Sequence, residues 1–118
     1  MACLVLIVED DPELREMMLA MLKSEGFDPM AASNGRDALS QLQHGPMPRL
    51  ILLDLMMPVM DGWRFRETQR QSPPPIADIP VVVVSAIPTV DTKRLAPAAV
   101  FSKPVDFDRL LATVRTLC

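Results

Sequence analysis

The chain has 118 residues, of which 49% are hydrophobic and 23% charged, with a net charge of −3. This suits one domain over residues 1–118, with a core large enough to need no staples. With no basic patch, direct nucleic-acid binding is not expected, and no apolar run reaches the ~20 residues of a membrane-spanning helix.

Leu4–Val8 is an unbroken apolar run that passes straight into acids and has no basic leader. It reads as a first strand and not as a signal peptide. Leu14, Met17, Met18, Met21 and Leu22 then recur at helical spacing. Asp11 is placed to cap that helix, Pro12 to occupy its first turn and Gly26 to end it. The methionine stripe reads as core packing. A second strand is assigned to Phe27–Ala31. Pro29 cannot donate to a ladder, so that strand belongs at a sheet edge. Ala38, Leu39 and Leu42 mark one face of a helix over Arg36–Gln43, after Asn34-Gly35; His44 reads as surface. Leu50–Leu53 is a third strand. The helix after Gly62 has the faintest pattern: Trp63 and Phe65 are apolar, but the rest up to Gln71 is polar. Gln71–Ile79, with Pro73-Pro74-Pro75, reads as a long loop. Val81–Val84 and Val100-Phe101 are the fourth and fifth strands. Phe107, Leu110, Leu111, Val114 and Leu117 define a last helix, with Asp106 as its cap. Apolar runs without alternation suit strands buried on both faces of a parallel sheet. Right-handed crossovers then place helices on both faces. The two cysteines, Cys3 and Cys118, lie at opposite ends and fit neither a zinc site nor a disulfide framework; a reducing, cytoplasmic setting is expected.

In such a sheet the strand ends share one rim, where open α/β folds bind ligands. Glu9-Asp10-Asp11, Asp54, Ser85 and Ser102-Lys103-Pro104 would converge there. Crowded carboxylates resist joint ionisation, and a hard cation relieves the conflict. Asp10 and Asp54 are expected as direct ligands of Mg2+. Glu9 is expected to act through water, and a backbone carbonyl near Met56 to complete the shell. Asp11, Asp61 and Gly62 read as cap and turn residues.

Four pieces in order resemble a response-regulator receiver domain: Val8-Glu9-Asp10-Asp11, the run Leu52 to Gly62 around Asp54, Val84-Ser85-Ala86, and Lys103-Pro104. The resemblance spans nearly the whole chain. It implies a flavodoxin-like (βα)5 fold with strand order 2-1-3-4-5. It also implies that Asp54 accepts a phosphoryl group from a sensor histidine kinase or a histidine phosphotransfer protein. Glu9 and Asp10 would hold magnesium, Lys103 would pair with a phosphoryl oxygen, and Ser85 would hydrogen-bond the acyl phosphate. The Lys103–Pro104 bond would be cis, and a downstream protein or a fused output domain would read the switch. Catalysis would extend only to self-phosphorylation and dephosphorylation.

Two departures qualify the resemblance. The strand-five position that is aromatic in many receivers is Val100, which makes an atypical switch residue, and Phe101 should face the other way. Only residues 86–102 separate Ser85 from Lys103, with Pro88 and Pro97 among them, so a short or irregular fourth helix is expected and dimerisation through that face is in doubt. Two other classes fit the same elements. One is a pseudo-receiver binding module without phosphorylation. The other is a metal-dependent phosphatase using an aspartyl phosphate, against which stands Met56, where such enzymes carry a second acid.

Overall fold

The structure is a computed structural model describing residues 2–118. β-Branched and leucine-rich runs form five strands: β1 (Leu4–Val8), β2 (Asp28–Ala32), β3 (Leu50–Leu53), β4 (Val81–Ser85) and β5 (Ala99–Ser102). They pair in parallel in the order β2-β1-β3-β4-β5, which is the flavodoxin-like order. β2, with Pro29, is an edge strand as expected. β2 and β5 sit within a residue or two of their expected positions.

The helices between the strands are α1 (Pro12–Ser24), α2 (Gly35–His44), α3 (Gly62–Gln71), α4 (Thr92–Leu95) and α5 (Phe107–Leu117). A single 3-10 turn, Ile76–Asp78, interrupts the proline-rich loop before β4. Side-chain oxygens satisfy an N-terminal amide in each helix: Asp11 accepts from Glu13, Asn34 from Asp37, Asp61 from Arg64, Asp91 from Arg94 and Asp106 from Arg109. α1 has its cap residue at Glu25, and Gly26 follows with φ +89°, a conformation that costs glycine little.

Two apolar layers flank the sheet. Leu6, Val8, Ile51, Leu53, Val81 and Val83 pack against Ala38, Leu42, Phe65 and Leu95 from α2, α3 and α4. Val5, Ile7, Leu50, Leu52, Val82 and Val84 face Met18, Leu22, Leu110 and Val114 from α1 and α5. Each fully buried large aliphatic contributes roughly 1.5–3 kcal/mol.

α3 explains its own faint pattern. Besides Phe65, the side chains that it buries are Arg66 and Gln69, both polar. The Arg66 guanidinium donates to the carbonyls of Leu95 (2.8 Å) and Ala96 (2.9 Å) at the end of α4 and to Gln69 Oε1 (2.8 Å). Gln69 Nε2 donates to the Ile76 and Ile79 carbonyls. Trp63, the single tryptophan, is half-buried on the first turn of α3, against the same core layer.

α4 has four residues and ends at Ala96 with φ 45°, so the fourth helix is short as expected. Val100 is 40% exposed, whereas Phe101 packs in the α1–α5 layer, on the opposite face. Two expectations need correction. Met18 is buried and Met21 half-buried, but Met17 is 54% exposed, because it lies at the border of the α1 apolar face. The cysteines are not unpaired: Cys3, just before β1, and Cys118, at the end of α5, form a disulfide, with Cα atoms 6.0 Å apart. Folding brings together two ends that the sequence holds 115 residues apart.

Candidate functional site

β1 and β3 are neighbours with Val8 opposite Leu53, so the acids that follow them leave the sheet side by side. Glu9, Asp10 and Asp54 each place a carboxylate oxygen within 4.8 Å of the other two. Glu9 and Asp54 are buried and Asp10 is half-buried. Backbone hydrogen bonds hold the strand ends: Glu9 N–H donates to Ala32 O (3.0 Å) and Asp54 N–H to Val8 O (2.9 Å).

From β5, Lys103 reaches across the rim. Its Nζ lies 2.9 Å from Glu9 Oε1 and 3.5 Å from Asp54 Oδ1. The backbone N–H of Lys103 donates to Ser85 O (3.0 Å), and the Lys103–Pro104 bond is cis. Ser85 is buried at the end of β4, where its hydroxyl accepts from Ile87 N–H (3.0 Å). Asp11 caps α1 and stays outside the acid cluster. Met56 lies in the loop two residues beyond Asp54, with its side chain exposed.

Electrostatics follow from this packing. Burial, the facing Glu9 carboxylate and hydrogen bonding with Glu9 and Asp10 push Asp54 up to about 7, and Lys103 only partly offsets them. Burial pulls the Lys103 ammonium down, but Glu9 and Asp54 outweigh it and hold it above the ordinary lysine value. In the bare site Asp54 is therefore not simply ionised at neutral pH, as an ordinary aspartate would be. Glu9 Oε1 is buried, with the Lys103 ammonium 2.9 Å away as its charged partner. Three crowded carboxylates, two of them buried, are a donor set that fits a hard divalent cation.

The loop after Asp54 is tightly tied. Gly62 N–H donates to Leu55 O (2.9 Å), and a Cβ on Gly62 would collide with the Asp54 carbonyl oxygen. Val59 has φ 69°, with Met60 N–H closing onto Pro58 O (2.8 Å), a γ-turn about a β-branched residue.

Residues 5–115 match the family described as the response regulator receiver domain. The chain belongs to that family. As a receiver domain it is 31% identical to a 14.6 kDa protein of Leptolyngbya boryana, covering 97% of this chain and 88% of that one. It is 35% identical to the transcriptional regulatory protein PcoR of Escherichia coli, covering 96% of this chain but 50% of PcoR. It thus spans about half the length of that regulator. Among solved structures, a response regulator receiver protein from Pseudomonas putida superposes with a TM-score of 0.87, 30% identity and 98% coverage of both chains. The response regulator TrrA of Thermotoga maritima, solved in complex with Mg2+-BeF, gives a TM-score of 0.85 at 27% identity, covering 98% of this chain and 99% of that one.

One residue at the rim escaped the sequence reading. Arg15, one turn into α1, donates from Nη1 to the carbonyls of Glu9 (3.0 Å) and Asp10 (3.3 Å). Its position five residues after Asp10, on a helix starting at the rim, was the available signal.

Proposed function

We propose that this receiver domain accepts a phosphoryl group on Asp54 in a magnesium-dependent reaction, from a phosphohistidine of a sensor histidine kinase or histidine phosphotransfer protein. The observation that carries the reading is the meeting of Glu9, Asp10 and Asp54 within 4.8 Å, with Lys103 Nζ 3.5 Å from Asp54. Similarity to TrrA, solved with Mg2+-BeF, supports it.

Asp10 and Asp54 would hold the ion directly and Glu9 through water, with the Met56 carbonyl completing the shell. Bound there, magnesium supplies charge neutralisation for the phosphoryl oxygens. The chain's own residues do the rest. An Asp54 carboxylate oxygen attacks phosphorus, the P–N bond breaks, and the imidazole nitrogen keeps the electron pair and takes a proton from solvent. The Lys103 ammonium pairs with a phosphoryl oxygen, and the Ser85 hydroxyl leaves Ile87 N–H to bond another. Alignment and charge compensation are most of what such a transfer requires. Switching then acts on a partner protein or a fused output domain. The domain itself does not contact nucleic acid.

Incubation with phosphoramidate and magnesium followed by intact mass tests the proposal. The expected result is a gain of one phosphoryl group that is absent in Asp54→Asn and in magnesium-free buffer. No gain under any of these conditions would overturn it and favour a pseudo-receiver binding module.

A further inference from the structure

We propose that Arg15 is a positioning residue that preorganises the acid-bearing turn for the divalent cation; the inference rests on reading Glu9, Asp10 and Asp54 as the magnesium site. The turn Glu9-Asp10-Asp11 carries two of the three acids and lies outside both β1 and α1. The carbonyls of Glu9 and Asp10 therefore lie beyond the regular ladders. No backbone N–H among the described residues donates to Glu9 O or Asp10 O outside the regular elements. Arg15 Nη1 bonds both, at 3.0 and 3.3 Å. The other ties on the turn are Glu9 N–H to Ala32 O (3.0 Å), Asp11 N–H to Glu9 Oε2 (3.1 Å), Arg15 N–H to Asp11 O (2.9 Å), Glu13 N–H to Asp11 Oδ1 (3.0 Å) and the Lys103–Glu9 ion pair (2.9 Å), none of which engages a carbonyl of Glu9 or Asp10.

Without a cation, the crowding of three acids works against holding this turn beside Asp54 with all of them ionised. Lys103 offsets the repulsion at Glu9 and Asp54, but no ion pair or hydrogen bond of Lys103 involves the Asp10 carboxylate. A guanidinium that grips the two carbonyls from α1, a rigid element, holds the Asp10 backbone in place. It also brings a positive charge to the crowded turn without occupying a carboxylate oxygen. Arg15 is half-buried and forms no ion pair within 4.0 Å among the described residues, so its charge is not spent on another acid. It touches neither cation nor phosphoryl group and acts through the position of Asp10. Groups that orient metal ligands typically matter about 10–100-fold in affinity.

The test is magnesium titration by calorimetry of the whole chain and of Arg15→Met. The dissociation constant should rise about tenfold or more in Arg15→Met, while the melting temperature in chelator changes little. The rate of phosphorylation by phosphoramidate should fall at limiting magnesium and recover at saturating magnesium. Arg15→Lys, which keeps the charge and one donor, should give an intermediate affinity, and it carries the same criteria if Arg15→Met does not fold. Equal magnesium affinity in the substituted and unsubstituted chains would overturn the inference alone, as would a lowered saturating rate with unchanged affinity. Absence of magnesium binding by the unsubstituted chain would overturn the proposed function and this inference with it.

Discussion

Under the proposed function Asp54 meets two demands that conflict in the bare protein: burial excludes water, and attack on phosphorus would require the ionised form. Burial beside Glu9 raises it from 3.8 to about 7. A carboxyl raised in the folded state binds its proton more tightly there than in the unfolded chain. Stability in chelator should therefore fall as pH rises from about 4 to about 7, by about 4 kcal/mol if the whole shift is expressed. Urea midpoints at about pH 5 and about pH 8 check this: the midpoint should be lower at the higher pH, and Asp54→Asn should flatten the difference. If magnesium binds these acids as proposed, it should raise the wild-type Tm by mass action. Asp10→Ala should raise the metal-free Tm and abolish the magnesium-dependent increment, both visible in paired melting curves. Val59 is a separate residue-scale conflict, a β-branched side chain at φ 69°. Val59→Gly should stabilise by about 1 kcal/mol net, after the greater unfolded-state freedom of glycine is subtracted; denaturant unfolding measures it. The rim acids and the caps Asp11, Asp61 and Asp106 were plain in the sequence because they stand just before a helix or just after a strand, whereas Asp91, the cap of the short α4, was not read. The raised Asp54 was not, because a pKa depends on neighbours that only the fold supplies.

At the scale of elements, most strands were plain as unbroken apolar runs and most helices because their apolar residues recur at helical spacing. α3 was nearly hidden because Arg66 and Gln69 occupy buried positions that an apolar pattern would mark. Burial and the neighbouring Arg70 lower the Arg66 pKa, and no carboxylate pairs with it among the described residues. Its donors are instead spent on the last carbonyls of α4, an element too short to persist unaided. Arg66→Ala should cost about 3 kcal/mol, from lost charged hydrogen bonds and orphaned carbonyls. Faster hydrogen exchange confined to α4 and the 3-10 turn, with α1 and α5 unaffected, would identify the mechanism. The shortness of α4 itself was readable from Pro88 and Pro97 and from the narrow interval before Lys103.

For the molecule as a whole, the common rim followed from a parallel sheet with acids at its strand ends, and the strand order from the resemblance to receiver domains, with Pro29 marking the edge. The Cys3–Cys118 pairing did not, since nothing local marks two residues that only the closed fold brings to 6.0 Å. Such a bridge closes nearly the entire chain. In the chain-entropy description it removes freedom from the unfolded state worth about 5 kcal/mol. Cys3→Ser, or added reductant, should lower the urea midpoint by up to that equivalent without altering the sheet; unchanged midpoints would show that the bridge contributes nothing. The position of Trp63 has an optical consequence. The chain has no tyrosine, so one indole dominates its ultraviolet emission. That indole follows Gly62, whose amide is bonded to the carbonyl of the residue after Asp54. The molecule thus carries its own fluorophore two steps from the proposed acceptor aspartate, and cation or phosphoryl binding there should change its emission without a label.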